Sequence, residues 1–342
     1  MGRKIRSINR NNIVIVCEGT DTEFNYLTDL AAYVNLNYPG RFADIRIVPT
    51  AQELVVATNR NKNRKKLKGS GGNAYYVQEE ENETDYEKYR KQPTRYVREA
   101  ELFLKDGSYG EAWAVYDHDN FPDHKNAASH AKEVKVNIAY SSVSFEEWIL
   151  AHFERNAYAF DKSVCKQNKK DIMCGSGLHP NDCHGQRCVG GRLREQSFIP
   201  DYGKTMGGLF RRLFVRHKVA VVNAAWLRAL HKNENFWECN PFTNVDNLVA
   251  RLLGYNQEYS WIPGGGVFDF ERTSLNLSGK KIKNVGDNAT VLEYEIYDYL
   301  MNRISGANTG VIEPGDSFEF QVPENGVYVG VIGRDGVKMS CI

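Results

Sequence analysis

At 342 residues the chain is too long for one ordinary hydrophobic core, so two domains are expected. Its 42% hydrophobic and 25% charged residues are ordinary for a soluble globular protein, and no run approaches 18 apolar residues, which argues against a membrane span. A formal net charge of +1 does not announce a nucleic-acid binder, so any contact with phosphates has to come from local basic patches. Met1-Gly2-Arg3-Lys4-Ile5-Arg6 lacks the apolar stretch of a signal peptide, and a cytoplasmic location is the default expectation.

The first element is Ile13-Val14-Ile15-Val16-Cys17, a short apolar run rich in β-branched residues. Glu18-Gly19-Thr20-Asp21-Thr22-Glu23 follows with turn and helix-start chemistry, so the segment reads as strand, turn, helix. A polar stretch comes next, with Arg60, Lys62, Arg64, Lys65, Lys66 and Lys68 set against Glu79, Glu80, Glu81, Glu83, Asp85 and Glu87. Those charges either neutralise each other or form a patch for phosphate, and Gly69-Ser70-Gly71-Gly72 between them marks a flexible loop.

Glu111-Ala112-Trp113-Ala114-Val115-Tyr116-Asp117-His118-Asp119 reads as a buried strand ending in two carboxylates. An extended chain turns alternate side chains to one face, so Asp117 and Asp119 are expected to reach one cation while His118 points away. In an open parallel sheet the carboxyl ends of the strands form the ligand crevice, and this places Glu18 with the aspartates on one rim. Hard oxygen ligands there favour Mg²⁺ or Mn²⁺. The bland alternative is that loops are polar and that Asp caps helices.

Asn137-Ile138-Ala139-Tyr140-Ser141-Ser142 reads as a further strand. Phe145, Trp148, Ile149, His152 and Phe153 then recur at helical spacing, with Glu146 in the first turn. Glu146 is either a member of the acidic site or a carboxylate favoured by the helix dipole, worth about 0.3 to 1 kcal/mol.

Four of the seven cysteines, Cys165, Cys174, Cys183 and Cys188, fall in a Gly-rich stretch that also holds His179 and His184. An odd total without a secretory signal argues against a disulfide framework. The stretch is too polar to bury a core of its own, which suggests a structural Zn²⁺ held by Cys174, His179, Cys183 and Cys188, with Cys165 competing; a reduced loop without metal, or a disulfide or redox role, are the alternatives. Downstream, Lys204 precedes a basic helical stretch whose Arg211, Arg212, Arg216, His217 and Lys218 are candidates for phosphate contacts. From about Tyr255 the texture becomes β-rich: 267–270, 274–277, 317–322 and 327–332 read as strands, and one helix is expected around 290–300.

Taken in order, these segments resemble the RloB-like proteins, a branch of the TOPRIM-type (topoisomerase-primase) nucleases of bacterial defence loci. The motifs are Val16-Cys17-Glu18-Gly19 with Thr22-Glu23, Asp117-His118-Asp119, Ala139-Tyr140-Ser141 leading to Phe145-Glu146-Glu147-Trp148 and His152-Phe153, Tyr202-Gly203-Lys204, and Asn240-Pro241-Phe242-Thr243-Asn244-Val245. Ser142-Val143 stands where the family has Asn-Pro, so no proline presets the turn there. The resemblance implies a TOPRIM or Rossmann-like, mostly parallel α/β sheet in a catalytic domain over 1–254, with insertions at about 60–92 and 161–195. A β-rich, α+β domain for recognition or oligomerisation is expected over 255–342. It also implies a Mg²⁺-dependent nuclease: Asp117 and Asp119 hold the metal, Glu18 serves as acid, base or metal bridge, Glu146 completes the shell and Lys204 stabilises phosphoryl charge. Transfer RNA is the favoured substrate and DNA the alternative, with an activating defence partner and a homo-oligomer as possible associations. A non-catalytic binding or sensor module is the competing reading.

Overall fold

The computed structural model describes residues 11–49, 67–68, 74–75, 92–119, 121–160, 188–255, 259–262, 266–334 and 336–342, and the chain divides into two compact units, Met1–Ile138 and Ala139–Ile342. The side chains of the basic run at 60–68, the acids at 79–87, Gly69 to Gly72, and Cys165, Cys174, His179, Cys183 and His184 lie outside the described residues.

In the first unit β1 (Asn12–Cys17) leads through α1 (Thr22–Asn37) to β2 (Asp44–Pro49). The short pair β3 (Leu67–Lys68) and β4 (Ala74–Tyr75) is followed by α2 (Thr94–Lys105), β5 (Glu111–Asp117) and α3 (His124–Val134). β1 pairs in parallel with β2 on one side, Asn12 opposite Asp44, and with β5 on the other, Ile13 opposite Glu111. The chain therefore leaves β1 in one direction and returns on its other side, which makes the gap between the ends of β1 and β5 a topological switch point. Ile13 through Cys17 are all 0% exposed, and this explains the unbroken apolar run: a central parallel strand is covered on both faces. One covering face comes from α2, whose Tyr96, Val97 and Ala100 are buried, while α1, with Tyr26, Leu27, Leu30, Ala31 and Val34 buried at helical spacing, packs on the neighbouring β2.

The second unit takes up β6 (Asn137–Ser142), whose Ser141 and Ser142 pair antiparallel with Thr243 and Phe242 of β7 (Phe242–Thr243). Around this pair stand α4 (Glu146–Ala151), α5 (Val189–Glu195), α6 (Leu209–Leu213), α7 (His217–Leu230) and α8 (Val245–Leu253). Every residue of α4 is buried, so the expected apolar stripe is present but the glutamates opposite it are covered too.

Beyond α8 the chain is antiparallel and β-rich. β9 (Gly266–Phe270), β10 (Thr273–Ser278), β11 (Lys281–Asn284) and β14 (Ser317–Glu319) form one sheet in the order β14-β11-β10-β9. The second sheet, β13-β12-β15-β16-β8, joins β13 (Arg303–Ile312), β12 (Thr290–Tyr297), β15 (Tyr328–Gly333), β16 (Gly336–Cys341) and β8 (Tyr259–Trp261). Leu275, Leu277 and Ile282 from the first sheet share one core with Leu292, Tyr294, Ile296, Val329 and Val331 from the second. The outer face of the second sheet, with Tyr297, Tyr328, Val337 and Met339, packs on Val219 and Val222 of α7. At Gly330 a Cβ would stand 2.6 Å from Val337 Cγ1 and 2.9 Å from Met339 Sδ, so this strand approaches β16 too closely for a side chain.

One element differs from expectation. Residues 290–297 are β12, a strand, and no helix occurs among the described residues from 259 to 342. Leu292, Tyr294 and Ile296 are buried at a period of two while Val291 and Glu293 are exposed, a pattern that puts all three side chains into the sheet-on-sheet core. No helix among the described residues is long and apolar enough to cross a membrane. The described chain is thus α/β, with mostly parallel strands flanked by helices and a C-terminal antiparallel β-rich region.

Candidate functional site

The parallel ladder between β1 and β5 continues one residue past Cys17, because the Glu18 N–H donates to the Val115 carbonyl at 2.9 Å. That bond holds the Glu18 carboxyl over the end of β5, where its Oε2 accepts from the Asp117 N–H at 3.0 Å. Its Oε1 accepts from the Tyr96 hydroxyl of α2 at 3.2 Å. Burial pushes Glu18 up to about 8; the Asp117 N–H opposes this, the charges of Asp119 and Glu23 add to it, and the Tyr96 hydroxyl opposes it again. At neutral pH the carboxyl is therefore mostly protonated. Glu23, in the first turn of α1, is buried and stands over Gly19, its Oε1 3.5 Å from where a Cβ would be. The Cys17 thiol, buried beside Glu23, is pushed well above its ordinary range by burial first and then by that charge.

Asp117 is the last residue of β5 and is buried. The strand stops there, and Asp119 is exposed in a turn with φ of 34°. The expected strand alternation between Asp117 and Asp119 therefore does not operate. Asp119 is brought within electrostatic reach of Glu18 by a left-handed turn residue, a conformation that Asp tolerates better than most. His118, half-buried, stacks parallel on His124 with ring centroids 5.0 Å apart, and His124 Nε2 donates to the His118 carbonyl at 2.9 Å. Burial lowers both imidazoles, His124 to about 4, so each is neutral at pH 7.

Glu146 belongs to the second unit. It is 1% exposed, and its Oε1 accepts from the Tyr202 hydroxyl at 2.7 Å. The Tyr202-Gly203-Lys204 motif thus supplies a buried hydroxyl to a buried acid, whereas Lys204 itself is exposed. Arg211, Arg212 and Lys218 are exposed, Arg212 being paired with Asp201 at 2.8 Å; Arg216 is half-buried over the Phe153 ring. His217 leaves the basic patch: it is 1% exposed, and burial pushes it down to about 3, so it adds no positive charge. Cys188, the described member of the expected zinc set, is buried and caps α5, its Sγ accepting from the Gly191 N–H at 3.2 Å.

Glu18, Asp117 and Asp119 offer oxygen ligands alone, the set preferred by Mg²⁺ and Mn²⁺ over softer ions. The crowding of Glu18 by two further acids is the electrostatic situation that a divalent cation relieves, so these residues fit such an ion. They are not drawn into a tight trio; among the described residues the group with all ligand atoms within 4.8 Å of one another is His231, Glu234 and Cys239. Tyr96 is the site residue that sequence reasoning missed, since nothing in the spacing of α2 separates a tyrosine that supports Glu18 from one that only fills the core. Tyr202 carried a signal, being in a recognised motif, but its neighbour Lys204 drew the functional assignment.

A family model described as RloB-like protein matches residues 13–252. No curated protein and no solved structure matches the chain.

Proposed function

The chain belongs to the RloB-like protein family, and from that premise we propose that it is a Mg²⁺- or Mn²⁺-dependent phosphodiesterase of TOPRIM type that cleaves RNA, transfer RNA above all, in an anti-phage defence system. The observation that carries this reading is Glu18 at the β1/β5 switch point, held against the Asp117 backbone and raised to about 8 by burial and by its acidic neighbours. A carboxyl with a pKa close to the working pH is suited to hand over and take back a proton, and such groups concentrate at functional sites. Asp117 and Asp119 would hold the ion, and Glu18 would act as the acid or base beside it or bridge to it. When bound, the ion polarises a phosphoryl oxygen and acidifies the attacking water.

The protein's own part is then positional. Tyr96 fixes Oε1 of Glu18, and the Asp117 N–H fixes Oε2, so the acid keeps one orientation through a proton cycle. Lys204 is assigned to stabilise charge on phosphoryl oxygen, and Glu146, oriented by Tyr202, to complete the acidic set. Arg211, Arg212 and Lys218, with Arg216 partly covered, are assigned to backbone phosphates, which makes binding fall with salt. The region over 255–342 is assigned to recognition or self-association, and an activating partner to switching the enzyme on. A structural Zn²⁺ on Cys174, His179, Cys183 and Cys188 belongs to the same proposal.

Labelled transfer RNA and supercoiled plasmid, incubated with Mg²⁺ or Mn²⁺, test the assignment. Cut transfer RNA that requires the metal and disappears in Asp117→Ala supports it. Cut plasmid alone makes the chain a DNA endonuclease. Metal-independent binding without turnover by the activated protein favours a binding module, in which Glu18 is a neutral clasp between α2 and β5, a role its two hydrogen bonds also suit.

A further inference from the structure

Between α7 and β7 the chain makes a short connection, His231-Lys232-Asn233-Glu234-Asn235-Phe236-Trp237-Glu238-Cys239. Both of its flanks are pinned: Arg228, in the last turn of α7, forks onto the Asp246 carboxylate in α8 and donates to the carbonyl of Thr243 in β7. Within the connection the Glu234 N–H donates to the His231 carbonyl at 3.0 Å, and this turn folds Glu234 back on the imidazole. Glu234 Oε1 lies 3.0 Å from His231 Nδ1. A 3-10 turn at Phe236–Glu238 then rotates Cys239 inward, leaving it 2% exposed with its Sγ–H donating to the Asn235 carbonyl at 3.2 Å.

Three different ligand types, imidazole, carboxylate and thiol, therefore converge with their ligand atoms within 4.8 Å of one another. Donors around a tetrahedral zinc ion stand about 3.4–3.6 Å apart at ordinary bond lengths. Glu234 is exposed and His231 half-buried, so their side chains have room to rotate toward the buried thiol and close the remaining distance. We infer that this connection is a binding site for a thiophilic divalent ion of the zinc class, with His231, Glu234 and Cys239 as ligands and water in the fourth position. A thiolate beside an imidazole selects such an ion over Mg²⁺ or Mn²⁺. The inference rests on none of the nuclease reading, whose acids offer oxygen alone.

Binding replaces the Sγ–H bond to Asn235 with a sulfur–metal bond and sends the thiol proton to solvent. Because the ligand is the thiolate, affinity rises with pH across the neutral range. A bound ion ties the exit of α7 to the approach to β7.

The test is a Co²⁺ titration of the chelator-stripped full chain in excess Mg²⁺, read by the thiolate-to-cobalt charge-transfer band. In the Cys174→Ser/Cys183→Ser background, which removes the other proposed thiolate site, the expected result is one saturating equivalent with that band, lost when Cys239→Ser or His231→Gln is added. Glu234→Gln, at an exposed position that leaves folding intact, is expected to weaken binding at least about tenfold. In the Cys174→Ser/Cys183→Ser background, zinc at a fixed concentration is expected to raise the Tm by less when Glu234→Gln is present. A band that never forms in the Cys174→Ser/Cys183→Ser background, or that persists there after Cys239→Ser is added, overturns the inference.

Discussion

Replacing Glu18 by Gln is expected to stabilise the protein progressively as pH rises. The carboxyl titrates at about 8 in the folded chain against an ordinary 4.5, so on raising pH the unfolded chain releases this proton first, and stability is lost from about pH 4.5 until the folded group has titrated. The loss from this group is roughly 1 kcal/mol at pH 5 and roughly 3 kcal/mol at pH 7, and it levels off near 4–5 kcal/mol above pH 9. Glutamine keeps an acceptor for the Asp117 N–H and a polar partner for Tyr96, so those bonds contribute a constant offset. The measurable quantity is therefore the change in the difference: between pH 5 and pH 7, Glu18→Gln should gain about 2 kcal/mol on wild type. Urea denaturation at fixed ionic strength, followed by tryptophan fluorescence and circular dichroism, reads it directly. Saturating Mn²⁺ at pH 8 should stabilise wild type, by about 2.7 kcal/mol at a hundred times the Kd, and leave Glu18→Gln unchanged. A difference that stays flat from pH 5 to pH 7 would refute the electrostatic account of this site.

Tyr96→Phe removes a hydrogen bond that favours the Glu18 carboxylate, so it should raise the Glu18 pKa and move the rising limb of the pH–rate profile to higher pH, measured with transfer RNA cleavage under Mn²⁺. Asp246→Ala leaves Arg228 without its carboxylate; Asp246 is buried and Arg228 partly exposed, so urea denaturation should show a loss of about 2–3 kcal/mol. Gly330→Ala pushes a methyl group against Val337, Met339 and Tyr297 and should cost about 1–3 kcal/mol, read as a lower Tm.

The parallel part of the fold was legible because its signals are local and redundant. Ile13 to Cys17 is too uniformly apolar for a half-exposed strand, and the turn and helix-start residues after it leave only a strand, turn and helix in that order. The β5 acids were legible for the same reason, as polar residues at the end of a buried run. Residues 290–300 misled because Leu292, Tyr294 and Ile296 also suit a helix when spaced among glutamates and tyrosines; the choice of a period of two was made by pairing with β15, more than thirty residues farther along the chain, and by the facing sheet of β9 to β11 that these side chains pack against.

What the sequence by itself determined is the inventory of chemistry and the order in which the chain presents it: acids after β1, acids after β5, a glutamate in the first turn of α4, a cysteine-rich stretch, and a β-rich end. Tertiary structure alone decided how those groups behave. Glu18 became a carboxyl pushed up to about 8 because parallel pairing carried it over the end of β5, where it is partly covered and faces Asp119 and Glu23. His217, charged on paper, became a neutral core residue by loss of solvent. Ionisation and metal affinity depend on the surrounding dielectric and on groups brought near by distant parts of the chain, and neither is written in the spacing of one segment.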